Sequence, residues 1–246
     1  MFRRSKDIKS YLTKNQKQIR LKLLCYLYIS HVSHIGPSLS VIDLLDAIYF
    51  VKKRNEKFVL SNGHTAAALY IILEKYRYLK HSNLRRLHIH PDRDSKYRID
   101  VSTGSLGQGL PIAVGMALSD RNKNVYCLIS DGECAEGSMW ESFRLIHDLH
   151  IHNLKIILSA NGWGAYDHIS LKDLHKRLQG FGFHIVNIDG HNISKIIQAL
   201  KIKHIKPTLI FAKTSSEQLS FLKGLEAHYH VMNKSDYNRG IKEFLT

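Results

Sequence analysis

Residues 125–163, VYCLISDGECAEGSMWESFRLIHDLHIHNLKIILSANGW, restrict the possible folds more than any other stretch of this chain. An apolar run at 125–129 stops at the polar turn Ser130-Asp131-Gly132-Glu133. Met139, Trp140, Phe143, Leu145, Ile146 and Leu149 follow near helical spacing, and a second apolar run at 154–158 leads to Asn161-Gly162. Strand, helix and strand in that order make a βαβ unit, which closes right-handed onto a parallel sheet. Ligands of such sheets sit outside the carboxyl ends of the strands. Asp131 and Asn161 each follow a strand end, so both side chains are expected at one edge. A carboxylate and an amide oxygen there, beside glycines that admit a close backbone, suit a hard cation such as Mg²⁺. That cation would hold a phosphorylated ligand, as in any of several magnesium–phosphate enzymes.

The same alternation extends along the chain. Ile8, Leu12, Ile19, Leu23, Leu24 and Leu27 predict one helix over residues 6–30. The stretch 33–38, punctuated by Gly36-Pro37, is read as the break that ends it, with Ser40 capping a helix over 41–50 and Asp43 in its first turn. A strand at 57–60 ends in Ser61-Asn62-Gly63-His64 before a helix over 65–76, a layout whose free backbone N–H groups favour anions. Residues 81–100 read as a short helix and a surface loop. The glycine-rich Ser102-Thr103-Gly104-Ser105-Leu106-Gly107-Gln108-Gly109 opens a helix over 110–118, a weak phosphate-loop signal by itself. Helices over 171–178 and 193–200 alternate with strands at 183–188 and 208–212. The predicted fold is α/β: a doubly wound, mostly parallel sheet with helices on both faces. Residues 1–246 form one domain, with an N-terminal helix in 1–30 and a tail, 215–246, that wraps the surface or a partner.

Composition removes other classes. At 246 residues and 44% apolar content the chain can bury a full core, and no uncharged apolar stretch is long enough to span a membrane. The basic start lacks the apolar segment and cleavage site of a secretory signal. The formal charge of +15 raises nucleic acid as a partner, but the lysines and arginines are dispersed and not interleaved with aromatics, so no specific nucleic-acid binding is expected. Cys25, Cys127 and Cys134 are too scattered for a disulfide framework or a zinc site, which fits a reducing, cytoplasmic compartment. Glu133 reads as turn chemistry, and Trp140 with the other apolar residues of its helix as core.

Six motifs in order carry a family resemblance: SHIGPSLSVIDLL, FVLSNGH, HPD, STGSLGQGLPIAVGMAL, SDGECAEG with its later Asn-Gly, and DGHN followed by KPTLIFAKT. From about residue 20 to 232 the chain resembles the thiamin-diphosphate-binding half of transketolases, and most closely the separate N-terminal subunit of split transketolases. The resemblance implies that Asp131, Asn161 and the Trp163 carbonyl coordinate Mg²⁺ or Ca²⁺ at the cofactor's diphosphate. Gly132 and His64 would contact the diphosphate, and Gly104, Ser105 and Leu106 would line the thiazolium and pyrimidine region. His34, His90 and His228 match histidines that face substrate hydroxyls and move protons, with His230 as a rival for His228. Glu136 matches a glutamate that meets its counterpart across a dimer interface.

The implied activity is two-carbon ketol transfer from a ketose or ketose-phosphate donor to an aldose acceptor, in carbohydrate metabolism of the pentose-phosphate type. A reaction like that of the synthase joining pyruvate to a triose phosphate, a specialised C2 or acyl transfer, and a non-catalytic scaffold are the alternatives. Two departures stand out. Ser215-Ser216-Glu217-Gln218 replaces the family's glycine-lysine-glycine loop, and the pyrimidine-binding domain with its activating glutamate is not in these residues. The expected partner is therefore a separate C-terminal subunit carrying that domain, in a heterotetramer.

Overall fold

Five parallel strands form the centre of the computed structural model, which describes residues 8–245. They are β1 (Lys57–Leu60), β2 (Val125–Ser130), β3 (Leu154–Ala160), β4 (His184–Asp189) and β5 (Thr208–Lys213), in spatial order β1-β2-β3-β5-β4. Around them lie α1 (Lys14–Ile29), α2 (Ile35–Val51), α3 (Ala66–Lys75), α4 (Gly109–Ser119), α5 (Gly137–Asp148), α6 (Leu171–Gln179) and α7 (Ile193–Leu200). The tail adds α8 (Glu226–Tyr229) and α9 (Lys234–Leu245).

Strand order decides which face each helix covers. The steps from β2 to β3 and from β3 to β4 run the same way across the sheet, so right-handed crossovers put α5 and α6 on one face. The step back to β5 reverses direction and sends α7 to the other. The cores agree: Phe143, Leu174 and Leu178 pack with α4 on one side, while Ile196 and Leu200 join α1, α2 and α3 on the opposite side. Alternation along β2 feeds both, with Tyr126 and Leu128 facing one core and Val125, Cys127 and Ile129 the other. Each large apolar side chain so buried contributes about 1.5–3 kcal/mol. The doubly wound, parallel α/β expectation holds.

Local boundaries depart from the sequence expectation in three places. α1 starts at Lys14, where Thr13 and Gln16 form a capping box; residues 6 and 7 of the expected helix lie outside the described residues. The expected break between two helices is present but falls at residues 30–34; Gly36-Pro37 lies in the first turn of α2, where backbone N–H groups have no intrahelical acceptor for proline to deprive. Ser40 is therefore not a cap; its hydroxyl donates to the Gly36 carbonyl at 3.1 Å, and His34 takes the cap position with φ 69°. In α5, Met139, Phe143 and Ile146 are buried, but Trp140 is half-buried against Phe181 and Leu149, which caps the helix, is exposed, so not every apolar residue of that stretch is core.

The tail contains no strand, as expected, and folds back on this chain: Tyr237 of α9 stacks on Tyr28 of α1 at 4.5 Å. Among the described residues no helix is long and apolar enough to cross a membrane.

Candidate active site

The parallel register carries Asp131 and Asn161 to adjacent positions past the ends of β2 and β3, since Ser130 pairs with Ser159. Asp131 is 1% exposed. Its carboxylate accepts from the backbone N–H of Gly162 at 2.6 Å and of Gly132 at 3.1 Å, and among the described residues no cationic side chain pairs with it. Burial outweighs those hydrogen bonds and pushes its pKa up to about 7. Asn161 Oδ1 accepts from the Trp163 N–H at 2.8 Å, and the Trp163 carbonyl oxygen lies beside Gly132. One buried carboxylate lacking a cation, one amide oxygen and one backbone carbonyl make an all-oxygen set suited to Mg²⁺ or Ca²⁺. Among the described residues no group of three or more His, Cys, Asp or Glu is arranged to hold a metal ion.

Across a shared pocket stand three histidines from three parts of the chain. His34 caps α2, His64 lies in the turn after β1, and His228 is on α8 in the tail. Their ring centroids are 5.0–5.3 Å apart. Ser33 Oγ lies 2.6 Å from His34 Nδ1, and the His34 N–H donates to the His228 carbonyl at 3.1 Å. Burial, followed by the neighbouring His228 and His90, pushes the His34 pKa down to about 4. Burial likewise holds His64 well below its ordinary value and lowers His228. The three rings are thus neutral near pH 7, able to accept protons and exchange hydrogen bonds but adding no fixed charge. His90 completes the wall, its ring against Gly104.

Most residues singled out from sequence meet here. His34, His64, His90, Gly104, Leu106, Gly132, Asn161, Trp163 and His228 all line the pocket, and the carboxylate of buried Asp131 accepts from the Gly132 N–H beside it. Ser105 is exposed on its loop and Glu136 is exposed next to Gly107; neither lines the pocket.

Sequence reasoning missed four contributors. Glu133 is more than turn chemistry: fully buried, it accepts from Ser61 Oγ at 2.6 Å, Ser130 N–H at 3.0 Å and Gly107 N–H at 3.1 Å. It thereby joins the loops after β1 and β2 to the glycine-rich loop before α4. Only its spacing from Ser130 was visible locally. Asn62, Ser159 and Tyr229 also line the pocket. Asn62 Oδ1 is buried without a hydrogen-bond partner, an acceptor at the wall of a site otherwise well satisfied.

Comparison with known proteins adds an independent line. The family described as "Transketolase, thiamine diphosphate binding domain" matches residues 46–230. Transketolase of Pongo abelii is 38% identical over 176 residues, 65% of this chain and 28% of that protein. The chain thus spans well under a third of that relative. The 6-deoxy-6-sulfo-D-fructose transketolase subunit of Clostridium sp. is 33% identical over 229 residues, 81% of this chain and 83% of that subunit. Among solved structures, transketolase from Campylobacter jejuni superposes with a TM-score of 0.82 at 25% identity, covering 93% of this chain and 42% of its own.

Proposed function

The chain belongs to the transketolase thiamine diphosphate binding domain family, and we propose that it is the cofactor-anchoring subunit of a split transketolase, transferring a two-carbon ketol unit between sugars or sugar phosphates. One observation carries this reading: an all-oxygen donor set at Asp131 and Asn161 faces a triangle of neutral histidines across a single pocket. In it, Asp131, Asn161 and the Trp163 carbonyl hold Mg²⁺ or Ca²⁺. Gly132 N–H and His64 receive the diphosphate. Gly104 and Leu106 support the rings, with Ser105 on the exposed loop between them, and His34, His90 and His228 exchange protons with substrate hydroxyls. When bound, thiamin diphosphate supplies the carbon nucleophile and electron sink that ketol transfer requires.

The proposed partner is a separate C-terminal subunit with a pyrimidine-binding domain, assembled as a heterotetramer. Two observations support it. Apart from Asp131, which the metal would take, no aspartate or glutamate among the described residues stands at the pocket, which agrees with a partner supplying the acid that activates the cofactor's aminopyrimidine. On the outer surface, Ile112 and Leu118 of α4 are exposed beside Gly115, which has open space where a side chain would stand, and Glu136 is exposed nearby. Solvent-facing glycine inside a helix costs about 1 kcal/mol relative to alanine, which a closely approaching partner would explain. A cytoplasmic location agrees with the free thiols of Cys25, Cys127 and Cys134.

The test mixes the purified chain with the candidate partner and assays ketol transfer from a ketose phosphate to an aldose. Activity that needs both chains, thiamin diphosphate and Mg²⁺ is expected. Robust transfer by this polypeptide alone sinks the two-subunit reading, and thiamin-independent transfer sinks the functional one.

A further inference from the structure

Residues 214–230 leave β5 and return across the mouth of the pocket, tied at every stage. Thr214 N–H donates to the Ala160 carbonyl at 3.0 Å, and its hydroxyl lies 2.9 Å from that of Ser159. Ser215 N–H donates to His191 Nε2 at 3.0 Å, so the other ring nitrogen of a neutral His191 carries the proton and donates to Asp43 at 2.8 Å. Gln218 is fully buried. Its Oε1 accepts from Arg20 Nε at 2.8 Å, and its Nε2 donates to the Leu39 carbonyl at 2.8 Å and the Ser215 carbonyl at 3.0 Å. Arg20 in turn grips both oxygens of buried Asp43, at 3.0 and 2.5 Å. One glutamine amide thus links α1, α2 and the tail at the centre of a buried ionic cluster.

Downstream, the path is keyed to shape. Gly224 N–H donates to Glu217 Oε1 at 2.6 Å and lies against the Trp163 ring. The carbonyls of Ser216 and Ala227 both press on Gly36: a Cβ there would stand 2.8 and 2.7 Å from them, closer than real contacts allow. His228 then enters the pocket, and Tyr229 Oη donates to the Ala165 carbonyl at 2.8 Å on the far side of the mouth.

We propose that residues 214–230 form a strap that is already closed, locked by Gln218 on the arginine of the Arg20–Asp43 pair and fitted to Gly36, so that His34 and His228 are assembled before cofactor, substrate or partner arrives. Gln218 is the positioning residue. Both ends of the Gln218 amide are buried and paired, so an open strap is unfavourable, because opening would leave Arg20 Nε and the Leu39 carbonyl without this partner. What the strap holds His228 ready to do rests on the ketol-transfer reading; the closure itself does not.

Amide hydrogen exchange of the full chain tests it. The amides of Ala227, His228 and His230, all bonded within the strap, are expected to be protected without ligand and to change less than about threefold on adding Mg²⁺ and thiamin diphosphate. Free exchange that becomes protected only with ligand overturns the proposal. Gln218→Met keeps the volume and removes the lock. It is expected to speed exchange of 224–230 by about tenfold or more while β2 and β3 are unchanged, and to move the His34 imidazole titration, followed by NMR, up toward its ordinary value. A folded variant with neither change refutes the lock. Should Gln218→Met not fold, Glu217→Ala removes only the tie to Gly224, and at least about threefold faster exchange confined to 224–230 is expected; unchanged exchange there also refutes it. None of these readouts requires catalysis, so they stand or fall separately from the proposed reaction.

Discussion

Replacing Asp131 by asparagine should make the ligand-free protein progressively more stable, relative to wild type, as pH rises. The carboxylate is buried, and its pKa rises from 3.8 to about 7 on folding. Between those values the folded protein holds a proton that the unfolded chain has released. The stabilisation that this proton represents is present below about pH 4 and lost by about pH 7. A shift of about three units at 1.36 kcal/mol each amounts to about 4 kcal/mol, an upper bound because water penetration relaxes such sites. Asparagine does not titrate. Its amide meets the Gly132 N–H as a second donor, and that mismatch is a pH-independent offset. The histidines titrate equally in both proteins and cancel. Urea unfolding at unit steps from pH 4 to 8 gives the difference directly, with an expected rise of about 2–4 kcal/mol that flattens above pH 7. A rise below about 1 kcal/mol refutes the claim that this carboxylate lacks a compensating cation. On the proposed metal role, adding Mg²⁺ and thiamin diphosphate at pH 8 should shift the difference back toward wild type by about 2.7 kcal/mol at a hundredfold excess over Kd, because only wild type gains the binding free energy.

Glu133→Ala should destabilise the protein by about 3 kcal/mol or more, since three buried donors lose their shared acceptor; denaturant titration checks it, and a loss under about 1 kcal/mol means water replaces the carboxylate. His90→Ala, assayed with the partner subunit, should lower turnover about a hundredfold or more while changing cofactor affinity by less than about threefold, as expected for a proton-transfer group; equal losses in both would place His90 at the diphosphate instead.

The strands and the sheet-edge positions of Asp131 and Asn161 were legible because their signals are local. Apolar runs of five to seven residues ending in Asp131 or Asn161 state both the strand and where its edge lies, and parallel pairing does the rest. The start of α2 was not legible, because Gly36-Pro37 is a stop signal in most contexts and a permissible first turn in a few. Only packing against Ser216 and Ala227 reveals why glycine is needed there. Glu133 escaped for a related reason: its donors come from Ser61, Gly107 and Ser130, and two of the three are distant in sequence.

By itself, then, the sequence determined the alternation of strands and helices, the sheet edge carrying Asp131 and Asn161, and the motifs of the family. Those properties depend on residues close along the chain. The tertiary structure decided that His34, His64 and His228 form one triangle, that Gln218 bonds the arginine of the Arg20–Asp43 pair, and that the tail closes over its own pocket. Each of these joins residues separated by tens to about two hundred positions. Their partners are chosen by the space and the unpaired polar atoms left when the two faces of the sheet are covered.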